Sequence, residues 1–143
     1  FEKRTDLARP LALLQAEALK AAGCLGDVDA LVPVPSGRGE RRSRGYDVPL
    51  MLARALGREL GLPVMQALCK IRETPRQMAL SGGERRKNLK NAFSARPDAL
   101  LEGKRILLVD DVLTTGSTLN ECAKALRAAG AAECRGVCAA ATR

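Results

Sequence analysis

Residues 106–119 read Ile106-Leu-Leu-Val-Asp110-Asp111-Val-Leu-Thr-Thr-Gly116-Ser-Thr-Leu119, or "ILLVDDVLTTGSTL", and this stretch decides how the chain is read. The apolar run from Ile106 to Val109 predicts a core strand over 105–109, and it ends in two adjacent carboxylates. In an open parallel sheet, ligands bind beyond the carboxyl ends of the strands, which is where Asp110 and Asp111 are expected to fall. The next helix is predicted to begin near Ser117 or Thr118. Thr114, Thr115, Gly116, Ser117 and Thr118 then form a strand-to-helix turn carrying four hydroxyls and one glycine. Backbone N–H groups and a helix amino end in such a turn suit an anion, with a phosphate as the natural occupant. Carboxylates repel a phosphate but accept hydrogen bonds from vicinal sugar hydroxyls. Acids for the sugar and donors for the phosphate describe a pentose 5-phosphate. A helix cap alone needs one polar side chain, not six, and no G-x-x-x-x-G-K-[ST] nucleotide loop occurs.

Outward from this stretch, helical and extended patterns alternate. Leu7, Leu11, Leu14 and Ala18 mark an apolar face on a helix from residue 5 or 6 to 22, closed by Gly23. A short apolar run over 30–34 leads into the Gly/Arg-rich segment "SGRGERRSRG", read as a loop. Asp47 is expected to cap a helix with Pro49 in its first turn, running to Gly61. Residues 62–70, "LPVMQALCK", read as one further strand. Residues 71–83 show neither period and read as a long functional loop. Ser81 and Glu84 form a capping box for a helix over 84–93. After the decisive stretch, a helix with Leu119, Cys122, Ala123 and Leu126 on one face ends at Gly130, and 134–142 supplies a last strand. This alternation predicts an α/β fold with a parallel central sheet flanked by helices.

The 143 residues suffice for one domain, 1–143. Aromatics make up 2% of the chain, so the core must be packed from Leu, Val and Ala, and stacking platforms for single-stranded nucleic acid are almost absent. The formal charge of +8 favours anionic partners. Five scattered cysteines with no C-x-x-C pair suggest reduced thiols in a cytoplasmic protein rather than a zinc site or disulfide scaffold. No apolar run is long enough for a membrane span.

"ILLVDDVLTTGSTL" resembles the 5-phosphoribosyl 1-diphosphate (PRPP) signature of the type I phosphoribosyltransferases: apolar strand, paired acids, then T-T-G-[SA]-T. "VPVPSGRGERRSRGYD" and "TPRQMALSGGERRKNLKNAF" precede it in the order and spacing of the ComF family, competence-associated phosphoribosyltransferase-like proteins. The resemblance covers residue 31 to the C-terminus, leaving 1–30 as an N-terminal helix and partial hood over the 31–143 core. Two departures stand out. Many ComF members carry an N-terminal four-cysteine zinc module that this chain lacks, and Asp47 and Val48 stand where the family usually has Asn-Gln.

The resemblance implies that Asp110 and Asp111 hold the ribose hydroxyls as the catalytic pair. It also implies that Thr114 to Thr118 bind the 5-phosphate. Pro35, Ser36, Gly37 and Arg38 match the diphosphate loop, with a cis peptide expected within 35–37. Residues 71–83 match the flexible lid, from which Arg76, Gln77 and Arg85 are expected to reach the substrate. Mg²⁺ is the implied cofactor, held mainly by ligand oxygens with Asp110 and Asp111 as its protein donors. The implied reaction transfers phosphoribose from PRPP to a nitrogen acceptor, releasing diphosphate. The alternative is a competence or DNA-uptake accessory protein that binds DNA or a competence-protein partner through its basic surface and keeps the PRPP pocket as a sensor or relic. Similar enzymes are often homodimers.

Overall fold

The computed structural model describes residues 6–73 and 81–142, the side chain of Arg85 aside. Helix α1 (Ala8–Ala21) leads into β1 (Ala30–Pro33), which is followed by α2 (Arg38–Arg44), α3 (Val48–Leu60) and β2 (Leu68–Lys70). Helix α4 (Gly82–Leu89), β3 (Phe93–Ala95), β4 (Arg105–Leu113), α5 (Ser117–Ala128) and β5 (Glu133–Ala141) complete the order. The central sheet runs β1-β4-β5, all parallel, with Val32 opposite Leu108 and Leu108 opposite Gly136. Val64 adds a single parallel bridge to the outer edge of β1, at Leu31.

Strand β4 is central, so its apolar run is buried on both faces: Ile106, Leu107, Leu108 and Val109 are each at most 1% exposed. Alternation along the strand divides them. Leu107 and Val109 join Leu31, Leu52, Leu56, Ala12 and Ala16 under α1 and α3, whereas Ile106 and Leu108 join Val32, Cys122 and Leu126 under α5. Helices thus cover both faces, as the alternating sequence pattern predicts.

Four details differ from the sequence reading. The "GRGERRSRG" segment is not a loop: residues 38–44 form α2, which buries no side chain and therefore carries no apolar period to detect. The run 62–70 is not one strand. Its first part bridges β1, while β2 pairs antiparallel with β3 in a separate two-stranded sheet. The helix expected over 84–93 stops at Leu89, because Asn91 takes a positive φ of 56° and Phe93 enters β3. On α1 the inward face is Ala12, Gln15, Ala16 and Leu19, whereas Leu7 and Leu14 are exposed. Small residues let α1 approach α3 closely, which a search for large apolar residues overlooks.

The expected caps are present. Asp47 accepts a hydrogen bond from the Leu50 N–H at 3.3 Å and Gly61 closes α3 in the left-handed region. Ser81 and Glu84 form the reciprocal box that starts α4. Gly57 sits inside α3 for a packing reason: a Cβ there would meet the Leu62 carbonyl oxygen at 2.8 Å and Val64 Cγ2 at 3.0 Å. A helical Gly→Ala change ordinarily stabilises by ~0.5–1 kcal/mol. Gly57→Ala is expected to reverse that sign and destabilise by ~1–3 kcal/mol, read as a lower urea midpoint; a raised midpoint would show that α3 shifts freely.

Candidate functional site

The parallel pairing of β1 with β4 brings the segment after β1 and the turn after β4 to one end of the sheet. The Val34 N–H donates to the Val109 carbonyl at 2.9 Å, so Pro35 emerges beside Asp110. Strand β4 does not stop at the acids as expected but continues to Leu113, with Asp110 opposite Cys138 and Leu113 opposite Ala141 on β5. The acids are therefore part of the strand, and alternation sends their side chains to opposite faces.

Asp110 is buried, at 8% exposure, and accepts a hydrogen bond from the Asp111 N–H at 2.9 Å. Burial, and next the charge of Asp111, push its carboxyl up to about 7. Asp111 faces outward, accepting from the Val112 N–H at 2.9 Å and pairing with Arg44 Nη1 at 3.3 Å. Arg44, at the end of α2, thus neutralises the acid that faces the mouth of the site. The thiols of Cys122 and Cys138 are also pushed up, Cys138 to about 12, by burial first and then by the charge of Asp110. Neither is a thiolate near neutral pH, so neither supplies a sulfur nucleophile.

The raised Asp110 carboxyl has a consequence for folding. A proton held by the folded chain up to about pH 7 is released by the unfolded chain near its ordinary value of 3.8. Stability from this group is present below about pH 4 and is lost as pH rises through 7. In the presence of a chelator and without ligand, the stability difference between Asp110→Asn and the parent is expected to grow in favour of the variant across that window. The expected gain is on the order of a few kcal/mol, read by denaturant unfolding at pH 4, 6 and 8; a pH-independent difference would refute it.

The turn that follows is built as its residue types require. Gly116 adopts φ 77°, a left-handed conformation that favours glycine, and caps α5. Thr115 Oγ1 lies 2.7 Å from Ser117 Oγ and accepts from the Ser117 N–H at 3.3 Å. Thr114 and Thr115 are exposed and Ser117 is buried. Five consecutive residues thus place hydroxyls and backbone donors around the amino end of a 12-residue helix.

On the β1 side, Pro35 and Ser36 are half-buried, Gly37 is buried and Arg38 is exposed. No peptide bond among the described residues is cis, so the cis peptide expected within 35–37 is absent. In the trans form two N–H groups of this segment already meet carboxylates: Gly37 donates to Glu40 Oε2 at 3.1 Å and Arg38 to Glu73 Oε1 at 2.9 Å. Ser36 Oγ donates to Asp47 Oδ1 at 3.2 Å, so the residue that replaces the family's usual Asn caps α3 and holds this loop at once. Of the expected lid residues, Arg76 and Gln77 and the side chain of Arg85 lie outside the described residues.

Sequence reasoning overlooked Glu40, Glu73 and Arg44. Their only signal was charge next to the Gly/Arg segment, because contacts such as Arg38 with Glu73 and Arg44 with Asp111 join distant positions. No three His, Cys, Asp or Glu side chains converge as a metal site among the described residues. Asp110 and Asp111 are hard oxygen donors that suit Mg²⁺, but two carboxylates fill only part of its octahedral shell, which fits an ion carried mainly by ligand oxygens and water.

Comparison with known proteins bears on the family and the fold. The model of the phosphoribosyl transferase domain family matches residues 49–143. Competence protein F of Haemophilus influenzae is 43% identical over 107 residues, 73% of this chain and 47% of that protein. DNA utilization protein YhgH of Escherichia coli K12 is 37% identical over 136 residues, 92% of this chain and 59% of that protein. The chain therefore spans about half to three-fifths of the length of these relatives. The structure of glutamine PRPP amidotransferase from B. subtilis superposes with a TM-score of 0.59 at 25% identity, covering 92% of this chain and 26% of that one. With the family model over residues 49–143 and these relatives, the chain belongs to the phosphoribosyl transferase family, as a ComF-type member.

Proposed function

We propose that this protein binds PRPP with Mg²⁺ and transfers its phosphoribosyl group to a nitrogen acceptor, releasing diphosphate. The observation that carries the reading is the buried Asp110, next to Asp111 and directly followed by the Gly116 turn at the head of α5. In this reading Asp110 and Asp111 accept hydrogen bonds from the ribose hydroxyls and orient the ring. Residues 114–118 hold the 5-phosphate by backbone and hydroxyl donors. Pro35, Ser36, Gly37 and Arg38 receive the 1-diphosphate. The acceptor nitrogen forms a bond to C1 as the C1–O bond breaks, the electron pair leaves on diphosphate, and the nitrogen then loses a proton. Positive charge grows on the ribose ring in the transition state, and negative charge held beside it lowers the barrier. Mg²⁺, when bound, neutralises charge on the leaving diphosphate. Positioning and electrostatics suffice, so no nucleophilic side chain is required.

Calorimetric titration of PRPP with and without Mg²⁺, beside ribose 5-phosphate and diphosphate, tests this. Micromolar, Mg²⁺-dependent PRPP binding is expected. No binding at millimolar PRPP by the folded protein overturns the reading.

Glu73 sharpens the diphosphate assignment. Its carboxylate sits on the Arg38 N–H, where a diphosphate oxygen would go. Glu73→Gln is expected to tighten diphosphate binding about 3- to 10-fold, less at high salt because the pair is exposed. Unchanged affinity would place the diphosphate elsewhere.

A second reading has its own observation. Helix α2 buries nothing and exposes Arg38, Arg41, Arg42 and Arg44 at the mouth of the site. Related proteins named for competence and DNA utilization make DNA, or a protein of that system, a reasonable partner. DNA affinity that falls steeply with salt would support it, and none at 50 mM salt would remove it.

A further inference from the structure

Beyond the hydroxyl turn, α4 and α5 enclose a groove of about 370 Å³. Thr115 and Ser117 line its inner end, Arg86 and Lys90 rise from the α4 side, and Asn120 and Lys124 lie further along α5. None of its lining residues belongs to the 35–38 loop or to the paired acids. The volume falls in the range of small-molecule sites, well beyond what one phosphate occupies. From Ser117 to Lys124 the groove follows seven helical steps, about 10 Å along the axis.

Its charge is unbalanced. Arg86, Lys90 and Lys124 face a single carboxylate, Glu121. That carboxylate is already committed: it accepts from Lys124 Nζ at 2.8 Å and from the Asn91 N–H at 3.3 Å, and the Lys124 contact holds its pKa below the usual carboxylate value. Among the described residues neither Arg86 nor Lys90 is ion-paired by its side chain. The turn residues Thr115, Gly116 and Ser117 share the groove with these cations, and Lys124 extends the positive lining about two helical turns along α5. Since the 35–38 loop lies outside the groove, the 1-diphosphate of PRPP is not what they meet.

We propose that this groove is a second anion subsite continuous with the hydroxyl turn, and that the site takes ribonucleoside 5′-di- and triphosphates. The α-phosphate rests on residues 114–118, the ribose hydroxyls on Asp110 and Asp111, and the outer phosphates on Arg86, Lys90 and Lys124. This rests on the reading of the turn as a 5-phosphate site. Nucleotide and PRPP then compete for the same acids, and a nucleotide polyphosphate acts as an inhibitory ligand whose hold depends on the groove.

AMP, ADP and ATP titrated into the full chain by calorimetry, at 50 mM and 300 mM salt, test the proposal. ADP is expected to bind at least about tenfold tighter than AMP, with the ratio shrinking at high salt. Arg86→Ala with Lys90→Ala, confirmed folded by circular dichroism, is expected to erase that ratio and leave AMP affinity unchanged. Equal affinities for AMP and ADP in the parent protein, or a ratio that survives in the double variant, overturn the groove assignment alone. Failure of all three nucleotides and of ribose 5-phosphate to bind overturns the 5-phosphate reading and the groove with it.

Discussion

Asp110→Asn combined with Asp111→Asn is expected to abolish PRPP binding while leaving the fold intact. Each carboxylate is assigned a hydrogen bond from a ribose hydroxyl, and charge-assisted bonds of this kind contribute ~1.5–3 kcal/mol apiece. Losing both weakens binding by roughly 10²- to 10⁴-fold. Asparagine keeps the side-chain shape, and at position 110 it also removes a charge that the folded chain buries at a cost. Affinity and stability should therefore move in opposite directions, with PRPP binding lost and the unfolding midpoint at pH 8 raised. Calorimetry beside a denaturant titration separates the two. Unchanged PRPP affinity in a folded double variant would sink the assignment of these acids.

Leu107→Ala carries the largest expected loss of stability. Leu107 is 1% exposed, on the middle strand and packed beneath α1 and α3. Truncation there removes buried methyl groups and leaves a cavity that a central strand cannot collapse to fill, costing about 3 kcal/mol. For a chain of this length that lowers the melting temperature by about 10 °C. Leu14→Ala, at a position 69% exposed on α1, is the control and should change stability by less than about 0.5 kcal/mol. A loss at Leu14 comparable to that at Leu107 would mean that α1 does not pack as described.

That pair also shows where sequence reading reaches its limit. Leu7, Leu11, Leu14 and Ala18 are the more hydrophobic stripe, yet Ala12, Gln15, Ala16 and Leu19 face inward. Side-chain size lost to closeness of approach, because α1 lies against α3 and small residues permit that contact. The β4 run had no such ambiguity. It is apolar on both of its faces, so any register buries it, and a central parallel position is the arrangement that covers both sides.

The features legible in residue order alone are local: the strand over 105–109, the caps at Asp47 and Ser81, the glycine that the turn before α5 requires, and the juxtaposition of acids with hydroxyls in one short stretch. Covalent neighbours settle these, since capping and turn geometry depend on residues three or four apart. Long-range packing set the rest: that α2 is a helix, that β2 leaves the central sheet for β3, that Arg44 pairs with Asp111 and Glu73 with the Arg38 N–H, and that Arg86 and Lys124 line one groove. Each of these depends on groups brought together across the fold, and charged side chains on solvated surfaces carry no period that would announce their partners.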